Sequence, residues 1–597
     1  MTSYDPPQRD IGFVLDHLVD LESLAKLPVF AHADPATVAG IVEEAGRFMA
    51  EVVAPTNRPG DVEGVRLHAD GSVTTPPGFV DAYRRLVDAG WTSVGFDPDH
   101  GGGGFPWVVA LAIQEMLTSA NMSFSMCPML TQSAVEMLAT HGTKEQQERY
   151  LRKLVSGEWS GTMNLTEPEA GSDVGALRSR AVPNGDGTFR ITGTKIYISF
   201  GEHDLAENIV HLVLARTPGA APGTRGISCF IVPKRLVGED GSVGGHNGIR
   251  CVSIEHKMGI KASPTCVLSY EDAVGEFIGP EQGGMRAMFT MMNNARLAVG
   301  VEGLALAERA YQQARSFASE RRQGRAPGAA VGEQSPIVEH PDVRRMLLTM
   351  KAEIEAMRAL LYLNAEAIDV ARHGADAATR ERAQERVELL TPVSKAWSTD
   401  HGVKVTSLAI QVHGGMGFIE ETGVAQHYRD ARIPPIYEGT NGIQAIDLVS
   451  RKVPARDGGV VRDHLADMAA LLPELEAGGD DLLAIGRCLR PALAALAETT
   501  EWLLAQDGGA RSDVLAGATP YQEQFGLVTG GWLLARQALV ATRLRSAGGG
   551  QGDGAFLGAK VATARFYAEQ LLPGAVGLVG AVTAGADRLF AVPVEQL

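Results

Sequence analysis

The stretch YRDARIPPIYEGTNGIQ, residues 428–444, decides how the rest of the chain is read. A charged cluster, Arg429-Asp430-Ala431-Arg432, leads into an apolar approach from Ile433 to Tyr437, and a single carboxylate, Glu438, follows. Pro434 and Pro435 lack N–H donors and restrict the residues before them, so no helix is expected to run into the glutamate. Thr440 or Asn441 can cap a helix through Ile443, Gln444, Ala445, Ile446, Asp447 and Leu448. Glu438 is thus expected on a short loop with apolar walls, beside a helix N-terminus. Such walls make a carboxylate a stronger base, which suits removal of a weakly acidic C–H proton. An isolated Glu-Gly-Thr more often marks a surface loop, so the assignment rests on the surrounding sequence.

At 597 residues the chain exceeds a single core, and roughly three or four domains are expected. Apolar residues make up 45% and charged residues 21%, as in ordinary globular proteins. A formal charge of −17 argues against a nucleic-acid surface, which needs a basic face, but leaves room for an anionic cofactor held by a few local donors. Cys127, Cys229, Cys251, Cys266 and Cys488 show no CxxC pairing and no His-rich spacing. Free thiols in a reducing compartment are expected, with no metal site and no disulfide framework. Residues 1–15 lack a basic segment followed by an apolar core, and no apolar run reaches membrane-spanning length. A cytoplasmic protein is the default expectation.

Residues 10 to about 155 read as helices. Asp34 can cap a segment beginning at Pro35, with Val38, Ile41, Val42, Ala45 and Phe48 at helical spacing. Helical patterns resume from Phe79 to Leu86, from Trp107 to Leu117 and from Leu130 to His141. The run Gly101–Gly104 lacks a preceding strand and a following Lys-Ser/Thr, so a flexible connection is expected rather than a phosphate loop. From about Trp159 to Tyr270 the texture turns β-branched, with strands expected over 187–199, 208–216, 226–233 and 265–273. Helices return with 291–324 and 340–362, separated by a Pro/Gly-rich loop at 327–340. The expected domains are 1–158 (helical), 159–278 (β), 279–455 (helical, with Glu438) and 456–597 (helical).

RDARxxxIYEGTNxIQ resembles the C-terminal signature of the acyl-CoA dehydrogenases, flavoenzymes that desaturate acyl thioesters between the α and β carbons. In that family the glutamate of the YEGT run removes the α-proton. The order helical, β, helical also resembles theirs, over roughly residues 30–455. The resemblance implies a mainly α fold with a central, barrel-like β domain and a four-helix-type domain after it. Extended members carry a further helical domain, which residues 456–597 would supply.

The cofactor implied is FAD. MNLTEPEAGSD (163–173) resembles the flavin-binding LTEPxAGSD segment. By that resemblance Met163, Leu165 and Thr166 meet the flavin ring, while Gly171 and Ser172 approach cofactor and thioester. KIYIS (195–199) resembles the strand covering one flavin face, with Tyr197 where the family has Trp or Phe and Ser199 where it has Thr. Asn293 and Arg296 match acyl-CoA contacts, and Ser172 and Gly439 are implied as further substrate contacts. Arg321 matches the arginine that grips the pyrophosphate of the neighbouring subunit's flavin, a task suited to a planar guanidinium. Gly324, however, stands where the family often has Phe. Gln411, Gly414 and Gly415 of QVHGGMGF match the turn lying on the partner's adenosine half, and Thr440 and Asn441 complete the implied cofactor contacts.

Some relatives carry their base on the residue before the substrate arginine; here that residue is Ala295, which leaves Glu438. SFGEHDL and EHKMGIKASPTC resemble extended members acting on 3-(methylthio)propanoyl-CoA, which implies a short or medium acyl-CoA as substrate. An electron-transfer flavoprotein or similar acceptor is implied as partner, and an acyl-CoA oxidase is the nearest rival reading. A DNA-protecting relative is disfavoured because residues 451–597 hold 13 lysines and arginines against 16 acidic residues. Leu482, Leu483, Ile485, Leu489, Leu493 and Leu496 form a stripe that must be buried. Folded onto its own subunit, the extra domain would cover the face used for dimer-of-dimers packing, so a homodimer is expected.

Overall fold

The structure is a computed structural model and describes residues 4–506, 511–548 and 553–597. Two compact units emerge: Glu43–Phe105 with Ile113–Ala298, and Met1–Val42 with Pro106–Ala112 and Val299–Leu597.

The first unit is built on a seven-stranded sheet. In spatial order its strands are Trp159–Asn164, Asn208–Ala215, Ser228–Pro233, Thr265–Phe277, Phe189–Ser199 and Arg180–Pro183, with Ile249–Ile254 also paired to Thr265–Phe277. Trp159–Asn164 runs parallel to Asn208–Ala215, and the other pairs are antiparallel. Asn208–Ala215 and Ser228–Pro233 are buried at every residue. Phe189, Phe230 and Phe277 pack together, Phe230 and Phe277 stacked at 4.8 Å. The edge strand bonds back towards the other end of the sheet. Ala181 N–H donates to the Arg216 carbonyl at 2.8 Å and Arg216 N–H to that of Ser179 at 2.9 Å, so the sheet partly closes on itself.

The four strands expected from sequence are present; Trp159–Asn164, Arg180–Pro183 and Ile249–Ile254 were not legible. WSGTMN has no strand-like alternation. It is a strand because its polar groups find partners inside: Thr162 pairs with His211 Nδ1 at 2.7 Å, and Asn164 Oδ1 accepts the Tyr270 hydroxyl at 2.9 Å. Asp34 caps its helix as expected, accepting from the N–H groups of Ala36 and Thr37. The Gly101–Gly104 run is a correction. Gly103, Gly104 and Phe105 N–H bond to the carbonyls of Ser93, Phe96 and Val94, and a Cβ on Gly102 would lie 2.0 Å from the Phe96 oxygen. The glycines make a packed turn, not a loose tether.

The second unit is helical. The C-terminal part of Gly284–Glu320, together with Pro341–His373 and Ala377–His413, forms its centre. Two of these helices cross with their backbones touching. A Cβ on Gly303 would stand 2.4 Å from the Ser398 carbonyl oxygen, and one on Gly402 2.7 Å from that of Gly303. This approach lies one residue from Glu302, on which the Lys395 charge acts.

Ala518–Ser546 and Gly554–Gln570 fold back onto that centre, and Asp480–Ala505 packs on those two. A Cβ on Gly526 would come within 2.2 Å of the Trp397 ring. Glu523 pairs with His401 and Lys404, and Lys560 with Asp10 and Glu355. The leucine stripe is buried as expected except at Leu483, which is half-exposed. Gly478-Gly479 separates two helices of this segment, and part of the Gly-rich run at 548–554 lies outside the described residues. Among the described residues no helix is long and apolar enough to cross a membrane.

Candidate active site

Helix Val424–Ala431 stops where the prolines begin, and helix Asn441–Asp447 starts at Thr440, whose hydroxyl accepts the Ile443 N–H at 3.2 Å. Half-buried Glu438 lies on the loop between them, its φ at +57° and that of Gly439 at +80°. A left-handed backbone costs a residue with a Cβ about 1–2 kcal/mol. Such strain persists only where the surroundings over-determine it.

Three buried side chains do so here, and each is 0% exposed. The Tyr437 hydroxyl donates to Glu302 Oε2. Lys395 Nζ donates to the Gly439 carbonyl at 2.9 Å and to Asn441 Oδ1 at 2.8 Å. Gln444 Nε2 reaches the Glu438 and Gly439 carbonyls at 3.4 and 3.3 Å. Burial raises the Glu302 carboxyl; the Tyr437 hydrogen bond and Lys395 oppose it, the Glu438 charge adds to it, and the result is about 8. At neutral pH Glu302 is therefore a carboxylic acid. The side chains of Thr440 and Asn441, expected at the cofactor, are committed to the loop itself. Thr440 caps, while the Asn441 amide donates to the Ala396 carbonyl and the Thr399 hydroxyl at 3.1 and 3.0 Å.

In the β unit the loop after Trp159–Asn164 is fixed by a buried ion pair. Lys195 Nζ lies 2.8 Å from Glu167 and also donates to the Leu165 carbonyl at 2.9 Å. Glu167 further accepts the N–H groups of Arg178 and Ser179, and Ile196 N–H bonds the Thr166 carbonyl at 2.9 Å. Burial lowers Lys195 to about 8 against the pull of Glu167. These bonds tie Leu165 and Thr166 to Lys195 and Ile196 on the strand that also carries Tyr197 and Ser199. Tyr197 is 60% exposed and, like Glu438, left-handed, at +59°. Met163 is buried near the strand end, whereas Gly171 and Ser172 are exposed. An exposed aromatic face beside half-buried hydroxyls fits a flat heteroaromatic ring with polar edges, as a flavin has.

Arg296 is buried, and its Nη1 donates to Asn293 Oδ1 at 3.1 Å. Arg321 is exposed and donates to Gln323 Oε1 at 3.2 Å. The helix end carrying it lies near the glycine turn, because Phe317 stacks on His413 at 4.4 Å. A solvent-facing guanidinium there fits an anionic phosphate group. Gln411, Gly414 and Gly415 are exposed. Within the chain a Cβ on Gly414 or Gly415 meets nothing. Gly414 answers instead to its φ of +59°, and Gly417 is the packed one, its Cβ position 2.4 Å from the Ile410 oxygen.

Sequence reasoning missed Glu302, Lys395, Lys195 and Glu167. The available signal was a lone charge inside an otherwise small or apolar stretch, as in GVEGLAL and PVSKAW. A charge so placed is buried only with a partner.

Fold and loop together define a class. The chain belongs to the acyl-CoA dehydrogenase family. That family's N-terminal, middle and C-terminal domains match residues 38–158, 162–273 and 282–453, and an "Acetyl-CoA dehydrogenase C-terminal like" domain matches 462–593. FAD is the cofactor of the family, and acyl-CoA dehydrogenation is its reaction. Among relatives, 3-methylmercaptopropionyl-CoA dehydrogenase of Ruegeria pomeroyi is 48% identical over 96% of both chains. The broad-specificity linear acyl-CoA dehydrogenase FadE5 of Mycobacterium tuberculosis is 34% identical, again over 96% of each. Caenorhabditis elegans ACDH-11, solved in complex with C11-CoA, shares the fold at a TM-score of 0.76 and 22% identity, covering 96% of this chain and 93% of that one.

Proposed function

We propose that Glu438 is the base that removes the α-proton of an acyl-CoA thioester in this chain. The carrying observation is its strained, left-handed backbone, held by Tyr437–Glu302, by Lys395 and by Gln444. Strain over-determined from several sides is characteristic of a group whose position the reaction depends on. FAD, when bound, supplies the acceptor for the β-hydride. Glu438 takes the α-proton, and its own backbone N–H polarises the thioester carbonyl as charge develops on it. Gly439, Asn293, Arg296 and Ser172 position the substrate. Met163, Leu165, Thr166, Gly171, Tyr197 and Ser199 hold the flavin ring, and Thr440 and Asn441 serve it only through the loop they fix. Arg321, Gln411, Gly414 and Gly415 serve the flavin of a second copy, which makes the functional form a homodimer.

The substrate we assign is 3-(methylthio)propanoyl-CoA or a short acyl-CoA of similar length, supported by the identity to the Ruegeria pomeroyi enzyme across both chains. An electron-transfer flavoprotein accepts the electrons, and the protein works in the cytoplasm. The test is anaerobic addition of an acyl-CoA panel to purified protein while the flavin absorbance is followed. Bleaching greatest with the methylthio substrate supports the assignment; equal bleaching along a long-chain series overturns it. Fast reoxidation in air would point to an oxidase instead. Glu438→Gln should retain FAD and lose at least about 100-fold in turnover, the size of a general-base contribution. Wild-type turnover in that variant would remove Glu438 from the mechanism.

A further inference from the structure

Glu302 is a carboxyl with 0% exposure on the helix Gly284–Glu320, far in sequence from the loop it serves. Its Oε2 takes the hydroxyl of Tyr437, the residue before Glu438, and its Oε1 makes no hydrogen bond. Three charged or titratable groups face it: Tyr437 and Glu438 from the loop, and Lys395 from the helix Ala377–His413. An ionised Glu302 here would stand beside a second carboxylate, away from water, with one oxygen unserved. Like charges sharing a dry site do not both ionise. A neutral acid removes the conflict.

We propose that Glu302 is a positioning residue for the reaction, a buried carboxylic acid that anchors Tyr437 and thereby holds Glu438 in its left-handed turn. The inference rests on Glu438 being the base. Geometry carries it: the close crossing of the two helices sets Glu302 behind the loop, and its carboxyl holds the hydroxyl of Tyr437, the residue before the base. Burial, reinforced by the Glu438 charge, keeps the proton on Glu302 up to about pH 8. The linkage has a definite sign. Between the ordinary glutamate value and about 8 the folded chain keeps a proton that the unfolded chain has released. Stability is therefore lost as pH rises through that interval, and the loss levels off above it.

The experiment uses FAD-loaded, full-length protein. Tyr437→Phe and Glu302→Leu should each lower kcat about tenfold with KM within about twofold, because the base is displaced rather than substrate binding lost. The double variant should lose no more than either single one, since both cut the same link. Glu302→Gln, whose amide oxygen still accepts the tyrosine hydroxyl, should restore most of the kcat lost in Glu302→Leu. Melting temperatures from about pH 5 to about pH 9 provide a readout independent of activity. Relative to wild type, Glu302→Gln should gain stability steadily up to about pH 8 and no more beyond. Should Glu302→Leu not fold, the tyrosine variant and the Gln melting curves decide alone. Wild-type kcat in Tyr437→Phe, losses that multiply in the double variant, or parallel melting curves for Glu302→Gln and wild type would each overturn the inference. Glu438→Gln is run alongside. If it keeps its turnover, the base assignment has failed, and the melting curves still report on Glu302 by themselves.

Discussion

Glu438 and Tyr197 share a feature that no pattern of residue types encodes: both are left-handed without being glycine. A buried lysine ties the loop at or near each, Lys395 bonding the Gly439 carbonyl and Lys195, two residues before Tyr197, the Leu165 carbonyl. An ammonium donates up to three hydrogen bonds and so ties together carbonyls that a turn leaves without partners. Lys395→Met keeps the length and removes the donors, leaving the Gly439 carbonyl and Asn441 Oδ1 buried. Loss of such bonds costs about 1–3 kcal/mol, so we expect a lower melting temperature together with a fall in kcat. Arg321 is the opposite case. It is exposed and donates to Gln323. Arg321→Ala should leave the melting temperature of the apoprotein unchanged while yielding flavin-poor protein, since a charged hydrogen bond to phosphate contributes about 1.5–3 kcal/mol. The ratio of flavin to protein absorbance checks this, and a drop in apoprotein stability would count against a cofactor role.

Helices and strands were legible to different extents. Long amphipathic patterns announced the helices over 291–324 and 340–362, Asp34 announced its cap, and Thr440 or Asn441 the start of the short helix after Glu438. Strand Trp159–Asn164 could not be read because its partners, His211 and Tyr270, are distant in sequence. Close helix crossings were equally invisible. Gly303 and Gly526 look like weak points in helical stretches, where glycine costs about 1 kcal/mol relative to alanine. In the fold each is where two helices touch. Gly526→Val, with its Cβ already 2.2 Å from the Trp397 ring, should therefore destabilise despite its better helix propensity. Overpacking of this kind costs about 1–3 kcal/mol, read as a lowered denaturation midpoint. A neutral or stabilising outcome would mean that Ala518–Ser546 does not lie against Trp397.

Across the molecule, the extra helices are joined to the helical centre by buried charges as well as apolar packing. His401 is enclosed by Glu353 on one helix and Glu523 on another, with Lys404 on its own. Burial alone would lower its pKa; the two carboxylates carry it up to about 9. A histidine raised in this way stabilises fully below its unfolded value and loses that contribution as pH climbs through about 9. The stake is on the order of 3 kcal/mol. Glu302 adds a loss in the same direction, so melting temperature should fall between about pH 6.5 and about pH 9. His401→Gln should flatten the upper part of that decline and narrow its gap to wild type as the pH rises. Identical slopes in the two proteins would show that this cluster stays charged throughout. Removal of everything after Pro454 should bare the Trp397 face and give aggregates or tetramers by light scattering, since an apolar face of that kind needs cover. A well-behaved dimer would show that the extra helices have some other role.

Residue order alone determined the family, the alternation of helical and β segments, the position of Glu438 and its helix cap, because each is written locally, in periodicity, caps and short motifs. Tertiary structure alone decided that Glu302 and Lys395 stand behind the Glu438 loop, that Lys195 and Glu167 fix the Thr166 loop, and that Gly526 meets Trp397. The physical reason is distance along the chain. Glu302 and Tyr437 lie 135 residues apart, and nothing near either of them records the partner that makes a buried carboxyl tolerable.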